Sequence, residues 1–359
     1  HCCYKVGIGN LPRTAMVATA TFFDTLYYNR AFFAFILFCH ATTLTVIYKD
    51  FVNKKTLGCT KGLLTILGLT STMAIIVGLV IVLACVFGVY AAVGGNMGII
   101  MHAAPHEMAT ILGASIGALI IANRGHVLKG IGKGFGKAFK GAQFKKQDYI
   151  DLLCLMFQLI KLAKSKGLIA LEPHIEKPEE SDMFQKYPKI MHDHFACDFI
   201  CDTFRMITMS LEDPYQVEDA MQKQLDKHHH EALHPAHSLQ TMADGLPAVG
   251  IVAAVLGVVK TMASINEPVE ILGAMIGGAL VGTFLGVFLA YCLIGPIASR
   301  LNEILEEEAQ YYYIIRDIMV GYLHGQAVQI AVEVGRGNVP SLMQPTFFEL
   351  EEAITAATS

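Results

Sequence analysis

The residues best suited to chemistry fall into a few clusters. His228, His229, His230, His234 and His237 crowd one short stretch, and His192, His194, Cys197 and Cys201 approach a metal-ligand spacing. Imidazoles and thiolates are the usual ligands of tetrahedral zinc. In the first cluster, His230, His234 and His237 would share a helix face, but Pro235 breaks that register and no Cys or acid completes four ligands. A solvated, partly cationic surface is the simpler reading. In the second, Phe195, Phe199 and Phe204 recur at helical spacing and want a core, so the cysteines read as small buried hydrophobes. Lys129, Lys133 and Lys137, interleaved with Gly130, Gly132, Gly134 and Gly136, superficially imitate a phosphate loop. No strand precedes them and no Gly-Lys-Ser/Thr closes them, which argues against a nucleotide. The lysine spacing suits an interfacial helix lying over anionic membrane lipids. Spacing alone defends no Ser/His/Asp or paired-carboxylate set, and the chain does not read as an enzyme.

Composition says what must position these residues. Of 359 residues, 53% are hydrophobic and 16% charged, against about a quarter charged in a soluble domain. The net charge of −4 gives no basic footprint for nucleic acid. Abundant Gly and Met with no Trp suit helices packed closely in lipid. The nine cysteines form no disulfide framework. A spanning helix needs about 20 mostly apolar residues. Ala74 to Val93 supplies one, and Met108 to Ala122 a shorter second. Between them, Gly94-Gly95-Asn96 breaks the pattern and Pro105-His106-Glu107 reads as a turn. Leu246 to Ile265, interrupted by Lys260, is the third, and Ile271 to Ser299 the fourth. Arg124, Lys129, Lys133, Lys137, Lys140, Lys145 and Lys146 follow the second span, and Arg300 follows the fourth. The short connections between spans one and two and between three and four carry no Lys or Arg. The positive-inside rule therefore turns the large middle segment and the tail towards the cytoplasm. Residues 1–72 fit poorly: Ala31 to Tyr48 is a weak apolar stretch, and Met73 looks like a natural start.

The organisation expected is thus 73–122 for spans one and two, 123–243 for a cytoplasmic helical domain, 244–299 for spans three and four, and 300–359 for a cytoplasmic tail. Tyr149 to Ala163 reads as a helix ended by Lys164-Ser165-Lys166-Gly167. Leu171-Glu172-Pro173 should be extended, because a residue before Pro avoids the helical region. Pro178 opens a further helix, and His194 to Leu211, Gln216 to Leu233 and Arg300 to Leu323 give helical patterns. The fold class is all-α, a polytopic membrane protein with four transmembrane helices and a helical cytoplasmic domain.

None of these four spans holds an Asp or Glu, and Lys260 is their only basic residue. Ion-coupled membrane proteins need an ionisable group at depth, so either the chain moves no ion or a partner supplies the carboxylate. The polar features at depth are Thr110, Ser115 and Thr283, with Pro247 and Pro296 at span ends. Pro247 suits the first turn of its helix, whereas Pro296 implies a kink or hinge. Thr283 either bonds back to its own helix or faces a pore.

Several segments agree in order and spacing with a known family: GVYAAVGGNMGII (88–100), GASIGALIIANRG (113–125), LPAVGIVAAVLGVVKTM (246–262), GALVGTFLGVFLAYCLIGPIA (278–298), AVEVGRGNVP (331–340) and PTFFELEE (345–352). From Met73 to the end, the chain resembles the MotA family, the larger subunits of flagellar motor stators in the bacterial inner membrane. The resemblance implies an ion-driven torque generator in which five such subunits surround two copies of MotB, whose single helix carries the ion-binding Asp. No cofactor is implied beyond the transported ion. It places the rotor-interacting residues, which engage charges on the rotor protein FliG, at Lys164 and Glu172, with Lys where the family's better-known member has Arg. It places the functional prolines at Pro247 and Pro296, with Asp244 and Thr283 beside them. Sodium-driven relatives tend to carry Thr where this chain has Ala254, so Ala254 points towards protons. The rival reading is an energy-transducing ring of the ExbB/TolQ kind, which has three spans and a different loop plan. A membrane scaffold or metal transporter built on the His cluster is the more distant rival.

Overall fold

The computed structural model describes residues 71–209 and 213–358. The expectations for residues 1–72 lie outside the described residues, save for the two that open the first helix. Among the described residues every regular element is helical.

The first apolar rod comprises α1 (Ser71–Leu83), a π-turn at Ala84–Gly88, and α2 (Val89–Ala92). No residue of Ile75–Ala92 is buried within the chain, so its surface is left for lipid or a partner. Phe87 fixes it edge-on to Phe284 and Phe288 at 5.9 and 5.7 Å. Gly94, at φ 82, turns the chain where an L side chain would be strained. Asn96 then caps α3 (Met97–Ala122) by accepting the Gly98 N–H at 3.0 Å.

Here the structure corrects the sequence reading. Pro105-His106-Glu107 is no turn: α3 runs 26 residues straight through it. A proline costs its helix one hydrogen bond and some crowding, which long flanking apolar stretches outweigh.

α4 (Gly125–Lys140) is amphipathic. Val127, Ile131, Gly134 and Ala138 are buried, while Lys129, Lys133 and Lys140 stay exposed. Lys137 instead pairs with Glu308. α5 (Lys146–Lys166) starts where Asp148 accepts the Lys145 N–H at 2.6 Å and stops at Gly167, φ 85. It is buried on nearly every side, as a helix apolar all round must be. Its core partners include Phe199, Ile200 and Phe204 of α9 (His194–Thr208). Between α5 and α9 lie short turns: α6 (Glu172–Glu176), α7 (Asp182–Gln185) and α8 (Pro188–His192).

Two long rods join this core to the apolar bundle. α10 (Pro214–Ala263) is 50 residues long, about 75 Å at 1.5 Å per residue. It passes through Pro235 and Pro247 without ending, so Pro235 does not break the histidine register and Pro247 does not start a helix. The second rod is α11 (Val269–Phe288), a π-turn at Leu289–Ile294, and α12 (Gly295–Leu323). α13 (Val328–Gly337) and α14 (Phe347–Thr358) close the core against α5.

Candidate functional site

The sequence places functional side chains at two locations, and the rods connect them. At the tip of the helical core, Lys164 stands in the last turn of α5 and donates to the Gln326 carbonyl. Gly167 reverses the chain into a 3-10 turn, Leu168–Leu171, and α6 begins at Glu172. The stretch expected to be extended is therefore helical. Leu171, fully buried, pins it to the core, and Pro173 occupies the first turn of α6, where its missing N–H costs nothing. Lys164 and Glu172 are both exposed, and among the described residues neither forms an ion pair. Ile169, 83% exposed between them, was not picked out by sequence reasoning. Its apolar side chain in a solvent-facing turn is the signal.

Two ties hold α5 in the core, one in its middle and one at its start. Gln158, buried in α5, donates to the Tyr187 hydroxyl and to the Ala357 carbonyl, each at 3.1 Å. Lys146 bonds both oxygens of Glu349 at 2.8 Å. That ammonium, with help from the Thr346 N–H, holds the Glu349 carboxyl down to about 2. Burial, with Asp151 nearby, pushes the Cys154 thiol up to about 11, so it packs as a hydrophobe.

The second location is the crossing of α10 and α11. A Cβ on Gly250 would come within 2.9 Å of the Gly282 carbonyl and of Gly286 Cα. One on Gly286 would meet Gly250 Cα at 2.8 Å and the Leu246 carbonyl at 2.9 Å. Only glycines permit such backbone contact, the usual device of helices packing in lipid. The crossing brings Ala254, half-buried on α10, against Gly282, whose neighbour is Thr283. Pro247 follows Leu246 about two turns below. Asp244 lies exposed at the base and accepts from Gln240 at 2.8 Å. Pro296 sits in the first turn of α12, directly after the π-turn. A Cβ on Gly295 would lie 2.8 Å from the Ala290 carbonyl; the irregularity implied by Pro296 is met by that wider turn. Beside the crossing, Ile251, Val252, Val255 and Leu256 are more than half exposed, an apolar wall on the outside of α10.

The structure thus sets Ala254 against Gly282, with Pro247 about two turns and Asp244 about three turns away along α10, and Lys164 and Glu172 lie apart at the tip of the core. Forty residues of rod separate Thr283 from Leu323 near the Lys164 contact, about 60 Å.

Glu107, missed in the sequence, also reaches the crossing: its Oε2 is 2.8 Å from the Cβ position of Gly282. Asn96 was the available signal, since a cap there starts a helix that must contain Glu107. Among the described residues, no group of three His, Cys, Asp or Glu side chains is placed to hold a metal ion. His228 stacks on Phe195 with ring centres 3.5 Å apart, and His230 meets His234 edge-on at 4.7 Å. Cys197 and Cys201 are buried in the core.

Among the described residues, four helices are long and apolar enough to cross a membrane. Two family models match: Motility protein A N-terminal over residues 76–167, and the MotA/TolQ/ExbB proton channel family over residues 192–313. The chain is 40% identical over 267 residues to Motility protein A of Salmonella typhimurium, covering 74% of this chain and 90% of that protein. Motility protein A of Escherichia coli strain K12 is 39% identical over the same shares. Chemotaxis protein LafT of Vibrio parahaemolyticus is 34% identical, covering 73% and 92%. Among solved structures, C. jejuni MotAB aligns with TM-score 0.58 at 18% identity over 75% of this chain and 96% of that one. The flagellar MotAB stator complex from Bacillus subtilis aligns with TM-score 0.54 at 21% identity over 77% and 98%. These two likenesses are of fold.

Proposed function

The chain belongs to the motility protein A family, and on that premise we propose that it works as the ring-forming subunit of a proton-driven flagellar stator. Five copies would surround two MotB-type helices in the bacterial inner membrane. The exposed wall of Ile251, Val252, Val255 and Leu256 fits an apolar helix or a neighbouring copy. The partner's carboxylate would ride beside Ala254 and Thr283, and Ala254, lacking a hydroxyl, favours a proton over a sodium ion that needs oxygen ligands. Arg124 and the exposed lysines of α4 turn that end towards the cytoplasm and towards anionic lipid headgroups.

The two rods carry this reading. They run unbroken by any loop from the α10–α11 crossing into the core that presents Lys164 and Glu172. Each proton crossing the membrane releases about 2.3 kcal/mol per 100 mV. Neutralising the partner's carboxylate frees its helix pair to shift within the ring. The subunits then step round, and the rods sweep Lys164 and Glu172 past charges on the rotor protein FliG. A charge contact of this kind works with Lys as with Arg, since it does not need a bidentate fork.

The test is rotation. The full chain is co-expressed with a MotB-type partner in a motile strain stripped of its own stators, and tethered cells are watched with and without sodium. Sodium-independent rotation is expected. A stable complex with the partner that never rotates the cell shifts the reading to an ExbB/TolQ-type ring.

A further inference from the structure

Glu107 is an acid where a membrane helix should have none. It lies ten residues beyond Met97 in α3, about 15 Å along the axis, near the middle of a hydrocarbon layer about 30 Å thick. Its Oε2 takes the space a side chain at Gly282 would fill, and the Ala254 N–H lies 3.3 Å from that same point. The carboxylate is therefore seated at the α10–α11 crossing, beside Ala254 and against Gly282, the residue that precedes Thr283. Among the described residues it belongs to no ion pair. An ionisable group at such depth is costly, and the cost is met where it serves an ion or proton path.

A path to it exists. A cleft of about 1050 Å³ opens between α3, α10 and α11, at the end of the bundle that carries the two short connections, and Glu107 is part of its lining. His102 and His106, one turn apart on α3, line the same wall. The charged groups facing them from the other two helices are Lys260 of α10 and Glu270 of α11. Opposite charges at the mouth leave it without a strong bias against cations, and an imidazole can accept a proton at one ring nitrogen and donate one from the other.

We propose that Glu107 is a proton-accepting carboxylate in this chain's own wall, loaded from the cleft through His102 and His106. This rests on the proton-driven stator reading above. Hydronium gives its proton to an imidazole and leaves as water. The imidazolium passes the proton to the Glu107 carboxylate, which becomes a neutral acid and then releases it to the partner's carboxylate at the crossing. Glu107 returns to its anion, and no electrons move.

The experiment uses the full chain with its partner, scoring bead rotation at low load between external pH 5.5 and 8. If the unaltered chain fails to rotate, the stator reading fails and this proposal with it. If it rotates, Glu107→Gln is expected to turn about tenfold slower while co-purifying with the partner in unchanged yield, and Glu107→Asp to recover to within about threefold. The double variant His102→Gln with His106→Gln is expected to match the unaltered chain at pH 5.5, where protons are plentiful, and to fall severalfold behind it by pH 8. Glu107→Gln at full speed overturns the proposal. So does equal loss of speed and partner in the Gln and Asp variants, which marks a structural role. Should Glu107→Gln fail to accumulate, the histidine variant decides: a pH profile that overlays the unaltered one overturns the proposal.

Discussion

Lys164 and Glu172 show how little a rim residue needs from the fold. Each is exposed, and Lys164 rests on the Gln326 carbonyl rather than on a partner charge. Exchanging them, Lys164→Glu with Glu172→Lys, is expected to impair torque and leave partner co-purification unchanged, since solvent-exposed charges contribute at most about 1 kcal/mol to folding. Loss of partner binding in that exchange would count against their place at the rotor. Glu308 is the opposite case. It is 8% exposed, accepts from Lys137 and from the Gln143 N–H at 2.9 Å, and so ties α4 to α12. Glu308→Ala is expected to cost about 2 kcal/mol, because charged hydrogen bonds are lost from a buried site. Thermal unfolding of the purified complex would show it as a lowered midpoint. The sequence made the rim pair visible only through resemblance, and Glu308 not at all, since its partners lie far away in the chain. The histidine cluster misled in the reverse sense: ring stacking of His228 on Phe195 is a matter of which helices meet.

Helix identity was legible and helix length was not. The apolar periodicity of residues 149–163 and the glycine stop at Gly167 marked α5 within a few residues. Prolines caused the misreadings. Pro105, Pro235 and Pro247 each promise a break in isolation, yet α3 and α10 pass through them because neighbouring helices supply the packing that the lost hydrogen bond does not. Glu107 vanished from view with that one error. Close helix approach is equally hidden, since a glycine facing open space and a glycine facing a backbone look alike in sequence. Gly286 and Gly273 on α11 make the distinction testable. An Ala at Gly286 would press on Gly250 and the Leu246 carbonyl, whereas nothing lies within 4 Å of a Cβ at Gly273. Gly286→Ala is expected to destabilise the complex by about 1–3 kcal/mol through overpacking. Gly273→Ala, in open helix, is expected to be neutral or to stabilise by up to about 1 kcal/mol. Melting both variants in detergent decides it: equal midpoints would mean that the α10–α11 contact is looser than 2.8–2.9 Å spacings require.

At the scale of the whole molecule, the proposed function has a small displacement at one end become work at the other, and stiffness is what that demands. On that proposal torque passes along α12 between Pro296 and Leu323, so its compliance should matter most when the load is high. Glu303, Glu306 and Gln310 are exposed residues of α12, and each Gly placed in an exposed helix interior costs about 1 kcal/mol and loosens the local ladder. The triple variant Glu303→Gly, Glu306→Gly and Gln310→Gly leaves the buried contacts of α12 and the α10–α11 crossing untouched. It is expected to assemble with the partner, to conduct protons and to spin at near-normal speed at low load, while torque near stall drops severalfold. A rod that bends under load stores the step rather than delivering it, and a lightly loaded motor asks for little delivery. The measurement is a torque–speed curve from beads of several sizes on the same strain. Loss of speed in equal proportion at every load would instead place the defect in proton passage or in the number of engaged stators, and α12 would be a tether between two working ends rather than the lever joining them.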